Sequence, residues 1–388
     1  MLRPPLFALC VAFLACGGRS GLDEGRTIRD GGEDAFEAAF SAIPDVVALY
    51  ASTCALRADG TVWCWGDRVG DHNPFAHSDT PISMGLHGVH AITDGRTHFC
   101  AETEAGLVCF GLDDVAPVPV VVSVATRFDG VALGSRLTCV HAVDGAAWCG
   151  SRTYGVVDLD TLLDRVPEWG LGPLFGAEDM VCRYDGDWLR CQTGRTPNPN
   201  ALCESEPGGK ADDVQPSVQL GGVRRVAMSS QSCFTFGCAV LSDETVSCWG
   251  HNYCGVLGNG MIDYGERGPS RVAGLRDVLG VTVGRFVACA WLKDGRAFCW
   301  GTGGLTASTD PKRQPDPSLK NCDWPYFYPA PVLVEGLPAV RRMSAGEGHI
   351  CAVDLGGDVW CWGANQYGQL GIGSSDVMGR EFPERVEW

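Results

Sequence analysis

The chain is short of basic residues, short of charge in general and without a long apolar run, and each shortage removes a class of function. Lys and Arg total 30 against 47 Asp and Glu, a formal net charge of −17. A surface of that sign repels a phosphate backbone, so no nucleic acid is expected as a partner. The longest apolar stretch, residues 6–15, is too short to span a bilayer. CxxC pairs, HExxH, G-x-S-x-G and SxxK are all missing, which leaves no recognisable metal site, cofactor site or catalytic nucleophile. With charged residues at only 20% and 52 glycines, short strands and tight turns are favoured over long helices.

What the chain does have is cysteine, 20 in all, far too many for a reducing compartment in the absence of zinc-type spacing. The N-terminus agrees. Arg3 precedes the apolar run, which has the length of a secretory core segment, and residues 1–15 read as a signal peptide. Leu14, Ala15, Cys16 and Gly17 resemble the lipobox of bacterial lipoproteins. That resemblance implies lipidation at Cys16, and Gly17 after it implies the outer membrane or cell surface; the alternative is a periplasmic or secreted protein. Residues 16–44 are Gly-rich, charged and poor in aliphatics. They form the expected tether, with a reach of roughly 30 Å.

From residue 45 to 388 a cysteine hairpin recurs seven times: Cys54/Cys64, Cys100/Cys109, Cys139/Cys149, Cys182/Cys191, Cys238/Cys248, Cys289/Cys299 and Cys351/Cys361. Partners are nine or ten residues apart, with Asp-Gly between two apolar strands in CALRADGTVWC (54–64), CVHAVDGAAWC (139–149) and CAWLKDGRAFC (289–299). Both offsets place the cysteines directly opposite one another, within disulfide reach, so seven bridges inside hairpins are predicted. The unit recurs every 39 to 62 residues, the scale of a four-stranded propeller blade. The fold expected is all-β, a seven-bladed β-propeller with disulfide-stapled blades. Pro-x-x-Val segments (269–272, 331–334) are read as the strand that begins each blade, with the cysteine hairpin as its third and fourth strands. On that frame blade one lacks its first strand, and the C-terminal segment 382–388 is expected to supply it beside 46–50, closing the ring.

The segment GEGHICAVDLGGDVWCWGANQYGQLGIG (346–373) closely resembles the repeat of the regulator of chromosome condensation family, with its G-x-x-H-x-C-A-L, W-G-x-N and G-Q-L-G elements. CWGHNYCGVLGNG (248–260) and ALRADGTVWCWG (55–66) repeat it, and Cys299, Trp300 and Gly301 keep part of it. Blades two to four keep the cysteines but have Phe110, Gly150 and Gln192 where the others have Trp. The resemblance covers residues 45–388 and implies the seven-bladed fold. Of function it implies only a range: members act in nucleotide exchange on a nuclear GTPase and chromatin, while secreted bacterial members include an inhibitor of a β-lactamase.

The remaining candidates lie where the repeat breaks. Trp324, Tyr326, Phe327 and Tyr328 stand in an insertion, 302–330, and are read as a candidate binding surface; a second insertion, 192–216, is polar. Cys203, Cys233, Cys254 and Cys322 fall outside the repeat and are expected to form two further bridges, with three connectivities open. Trp63, Trp65, Trp249, Trp300, Trp360 and Trp362 are expected to pack between blades. His98 and His349 precede a repeat cysteine and read as structural. His72, His77, His87, His90 and His98 crowd one blade without the spacing of ligands. The functional expectation is a monomeric, non-enzymatic scaffold, held to the membrane by a lipid anchor alone, that engages an extracytoplasmic protein or glycan. The alternatives are a hydrolase or lyase with carboxylates in the central funnel and an inhibitor-like propeller.

Overall fold

A computed structural model describes residues 45–67, 77–95, 98–104, 106–111, 120–122, 128–133, 137–142, 147–151, 164–165, 174–177, 180–193, 217–231, 234–262, 266–310, 314–315 and 326–388. The proposed signal peptide, Cys16, the tether and Trp324 lie outside them.

The described strands form seven antiparallel sheets, one per cysteine hairpin. Blade one consists of Asp45–Ala48, Ser52–Leu56, Val62–Asp67 and His77–Ser83, paired in chain order. Blade seven consists of Val340–Ala345, His349–Asp354, Val359–Asn365 and Asp376–Arg385. Blade six adds a fifth short strand, Gln314–Pro315, outside Tyr326–Leu333. The first strands contact one another in succession around the ring, and that of blade seven meets that of blade one. The first strands therefore line the axis and the fourth strands form the rim.

The blade frame differs from the expected one by a single strand. Each Pro-x-x-Val segment ends the preceding blade: Glu266–Arg271 pairs with Val246–His251, and Tyr326–Leu333 with Ala297–Thr302. The cysteine hairpin supplies strands two and three. Accordingly Asp376–Arg385 pairs with Val359–Asn365 in its own blade, not beside 46–50, and blade one is completed by His77–Ser83. A strand that follows its hairpin along the chain reaches that hairpin's free edge with little loop-closure cost, so the local pairing is the one made. Closure is by packing instead. Ala48 N donates to Ser344 Oγ at 2.9 Å, Arg342 Nε lies 2.6 Å from Asp45 Oδ1, and Val386 shares a buried cluster with Val46.

Five disulfides, Cys54–Cys64, Cys100–Cys109, Cys238–Cys248, Cys289–Cys299 and Cys351–Cys361, join directly opposed residues at Cα separations of 4.0–4.2 Å. Cys139 and Cys182 are also disulfide-bonded and stand opposite Cys149 and Cys191 in the strand register. Outside the repeat Cys254 is disulfide-bonded, while Cys203, Cys233 and Cys322 lie outside the described residues.

Alternation along strand three turns the cysteine to one neighbour and the tryptophans to the other. At three described seams the bridge thereby meets the aromatic ring of the next blade. Cys238 and Cys248 share a cluster with Trp300, Cys289 and Cys299 with Trp362, and Cys351 and Cys361 with Trp65. Sulfur against an aromatic ring is a favourable contact. The two elements that recur in the sequence are thus the two halves of one seam.

Candidate functional site

The seams show what the W-G-x-N and G-x-L-G elements do. Trp65 Nε1 donates to the Gln369 carbonyl of blade seven at 2.9 Å, Trp300 Nε1 to Val256 O of blade five at 2.7 Å, and Trp362 Nε1 to Leu305 O of blade six at 2.8 Å. The loop that presents each carbonyl is folded by a buried asparagine in two cases. Asn365 accepts from Leu370 N at 3.1 Å and donates to Ser374 O at 2.8 Å; Asn252 accepts from Leu257 N at 3.1 Å and donates to Met261 O at 3.0 Å. Gly371 and Gly258 sit under the docked indole with φ of +67° and +64°, and a Cβ at either would come within 2.7 Å of the indole nitrogen. Trp65, Trp300 and Trp362 are fully buried and Trp249 nearly so. Trp63 and Trp360 lie on the same strand face but nearer the hairpin tip, partly exposed, and bond to Thr61 Oγ1 and Asp354 Oδ2. These residues build scaffold, not a site.

Antiparallel strands send alternate connections to opposite faces of the ring. One face carries the Asp-Gly hairpin tips and the links between blades. Its carboxylates are engaged locally. Thr245 and then Arg271 hold Asp243 down at about 2, Thr61 lowers Asp59, the Arg296 amide lowers Asp294, and Lys293 lowers Glu244. Lys293 Nζ bridges blades five and six to Glu244 at 2.6 Å. A shallow hollow of about 310 Å³ lies beside it, bordered by Arg276, Asp277, Lys293 and Phe298. Carboxylates held by turn hydroxyls, amides and neighbouring cations are anions at ordinary pH, which suits solvation better than proton transfer.

The opposite face carries the turns between strands one and two and every connection between strands three and four. Both insertions and the histidine-rich segment after Asp67 belong to connections of that second kind. Exposed large side chains on this face include Tyr50 (48%), Met261 (55%) and Tyr367 (37%). Arg285 lies over the Phe286 ring at 5.0 Å and within 3.4 Å of Glu347 on the next blade. Tyr, Met and Arg are residue types enriched at protein-contact surfaces.

Of the four residues singled out in the 302–330 insertion, Trp324 lies outside the described residues and the other three divide. Phe327 and Tyr328 are each 1% exposed, and Tyr328 donates to Ser308 O at 2.7 Å. They are core of blade six and form no contact surface: consecutive strand residues face opposite sides of the blade, and both sides are covered, Phe327 by the blade-five cluster and Tyr328 by the segment at Ser308. Tyr326 is partly exposed and hydrogen-bonds Glu381 of blade seven. His98 and His349 are buried at 3% and 0%. His77, His87 and His90 are exposed, and among the described residues no group of His, Cys, Asp or Glu is arranged to hold a metal. Tyr50, Met261 and Tyr367 escaped the sequence reading because a single apolar residue in a turn carries no pattern.

Comparison with known proteins agrees with this architecture. The model of the regulator of chromosome condensation (RCC1) repeat matches residues 340–369 and again 356–388. The ultraviolet-B receptor UVR8 of Arabidopsis thaliana is 27% identical over 175 residues, 43% of this chain and 36% of that protein. The E3 ubiquitin-protein ligase HERC2 of Mus musculus is 30% identical over 175 residues, 44% of this chain and 3% of the ligase. The matched region thus spans about a third of the one relative and a small fraction of the other. Prp20p of Saccharomyces cerevisiae, crystallised in a study of its binding to Gsp1p and histones, superposes with a TM-score of 0.66 over 92% of this chain and 90% of its own, at 15% identity. That likeness is one of fold. The chain is thus a seven-bladed β-propeller whose residues 340–388 match the regulator of chromosome condensation repeat.

Proposed function

We propose that the protein is an exported, envelope-tethered binding scaffold that engages an extracytoplasmic protein or glycan through the face carrying the connections between strands three and four. The observation that carries this reading is topological. In a stapled ring, the described strands that flank both insertions end at one face, where Tyr50, Met261 and Tyr367 are exposed, while the recurring residues are consumed in seams. Variable loops on a rigid frame are the usual arrangement for recognition. Buried disulfides support an oxidising compartment, and lipid at Cys16 would provide the membrane attachment, on the outer membrane or the cell surface.

The test combines labelling with surface substitution. Radiolabelled palmitate is expected in the full-length protein and absent from Cys16→Ala. Co-purification of a partner from envelope extract is expected to fall at least about tenfold in a Tyr50→Asp, Tyr367→Asp double variant. It is expected to survive Arg276→Glu on the opposite face. Loss with Arg276→Glu alone would reverse the assignment of the face.

A further inference from the structure

The seam between blades seven and one is crossed by a hydrogen-bonded chain that begins at a buried histidine. His349 is 0% exposed, and its Nε2 lies 2.8 Å from Thr53 Oγ1 of blade one. The Thr53 hydroxyl donates its single hydrogen to Gln369 O, back on blade seven, at 2.9 Å. It must therefore accept at Nε2, which makes Nε2 the protonated nitrogen. Trp65 Nε1 donates to the same Gln369 carbonyl, so histidine, threonine and tryptophan converge on one loop. Nδ1 is left as a buried lone pair that makes no hydrogen bond, with the backbone of Gly346 packed so closely that a Cβ there would lie 3.0 Å from it.

The charged groups of the surrounding elements are occupied elsewhere. Glu347, in the adjoining turn, pairs with Arg285 of blade six. Asp45 pairs with Arg342 across the seam. Asp354, on the same strand as His349, accepts from Trp360 Nε1 and Asp358 N. What acts on the ring is burial, partly offset by the Ser52 backbone, and burial holds its pKa down at about 4.

We propose that this seam is an acid-operated clasp, in which protonation of His349 opens the contact between blades seven and one while the disulfide-stapled blades persist. Above the ordinary histidine value of about 6.5 the ring is neutral whether the seam is open or closed, and pH has no effect. As pH falls from there towards the closed-state value, the open seam binds a proton that the closed seam does not. Opening then gains up to about tenfold per pH unit. Below the closed-state value both forms carry the proton and the gain levels off. The neighbouring seams supply a control, because Val287 in blade six and Phe236 in blade five stand at the position of His349 and do not titrate.

Amide hydrogen exchange on the full chain, corrected for intrinsic rates, tests the clasp. Ala48 N bonds across the seam to Ser344 Oγ, and Ala345 N makes the equivalent bond to Thr282 Oγ1 across the seam of blades six and seven. Between pH 7 and 4.5 protection at Ala48 is expected to fall at least about tenfold more than at Ala345. Equal losses at the two amides would overturn the proposal. His349→Gln keeps a side-chain N–H for Thr53 without titrating, and is expected to remove the difference; a difference that persists in the variant also overturns it. Should the variant not fold, the His349 ring followed by NMR in the unaltered protein decides, with a midpoint above about 6 overturning the clasp and one below about 5 supporting it.

Discussion

Blades five, six, seven and one differ from blades two, three and four in one respect that accounts for much else. In the first group the residue after the second cysteine of the hairpin is Trp, and at three described seams its indole N–H reaches a carbonyl of the preceding blade. In the second group that position is Phe110, Gly150 or Gln192. Phe110 stacks on Phe99 at 5.1 Å and fills apolar space, but it has no donor with which to grip a loop. The disulfides run through both groups, so the staple within a blade and the grip between blades are separable. A blade can therefore keep its hairpin and lose its hold on its neighbour's loop.

Four substitutions would sharpen or break this contrast. Gly371→Ala should have the largest effect, about 3 kcal/mol or more, because it puts a Cβ at positive φ and against the Trp65 indole. The urea midpoint measures it, and a loss under about 1 kcal/mol would show that the indole can retreat without cost. Asn365→Ala comes next at about 2–3 kcal/mol, since it leaves the buried Leu370 N–H and Ser374 carbonyl without their partner. Asn252→Ala in blade five should cost the same within error, and a clear inequality would mean that the two loops are not equivalent. Ala307→Gly is the smallest change and the one expected to stabilise. Ala307 stands in blade six where the other loops have Gly258 and Gly371, and it holds φ of +47°. Relief of that strain should add about 0.5–1 kcal/mol, read as a small rise in Tm.

Much of this was legible in the residues. Cysteine spacing with Asp-Gly between strands specified hairpins, register and blade count, because the period of a strand and the length of its turn leave one way to oppose two cysteines. The frame of the blade was not legible. Whether a Pro-x-x-Val strand opens one blade or ends another depends on which free edge it reaches, and the linear order of strands is the same in either case. Closure was misjudged for that reason. The aromatic insertion is a related case: Phe327 and Tyr328 have the composition of a contact surface, and burial was decided by neighbouring segments that cover both sides of their strand.

By itself, then, the sequence determined the architecture, since seven repeats of one stapled hairpin bury their faces only against each other. It also determined the seam chemistry at the level of motif, because tryptophan, asparagine and glycine recur at fixed offsets. Only the tertiary structure decided that the bridge of one blade lies against the tryptophan of the next, that blade one is complete without the C-terminal strand, and that His349 spans the place where the ring meets itself. The last of these joins residues 296 positions apart. Local pattern carries no information at that separation, and closing the ring is what brings them together.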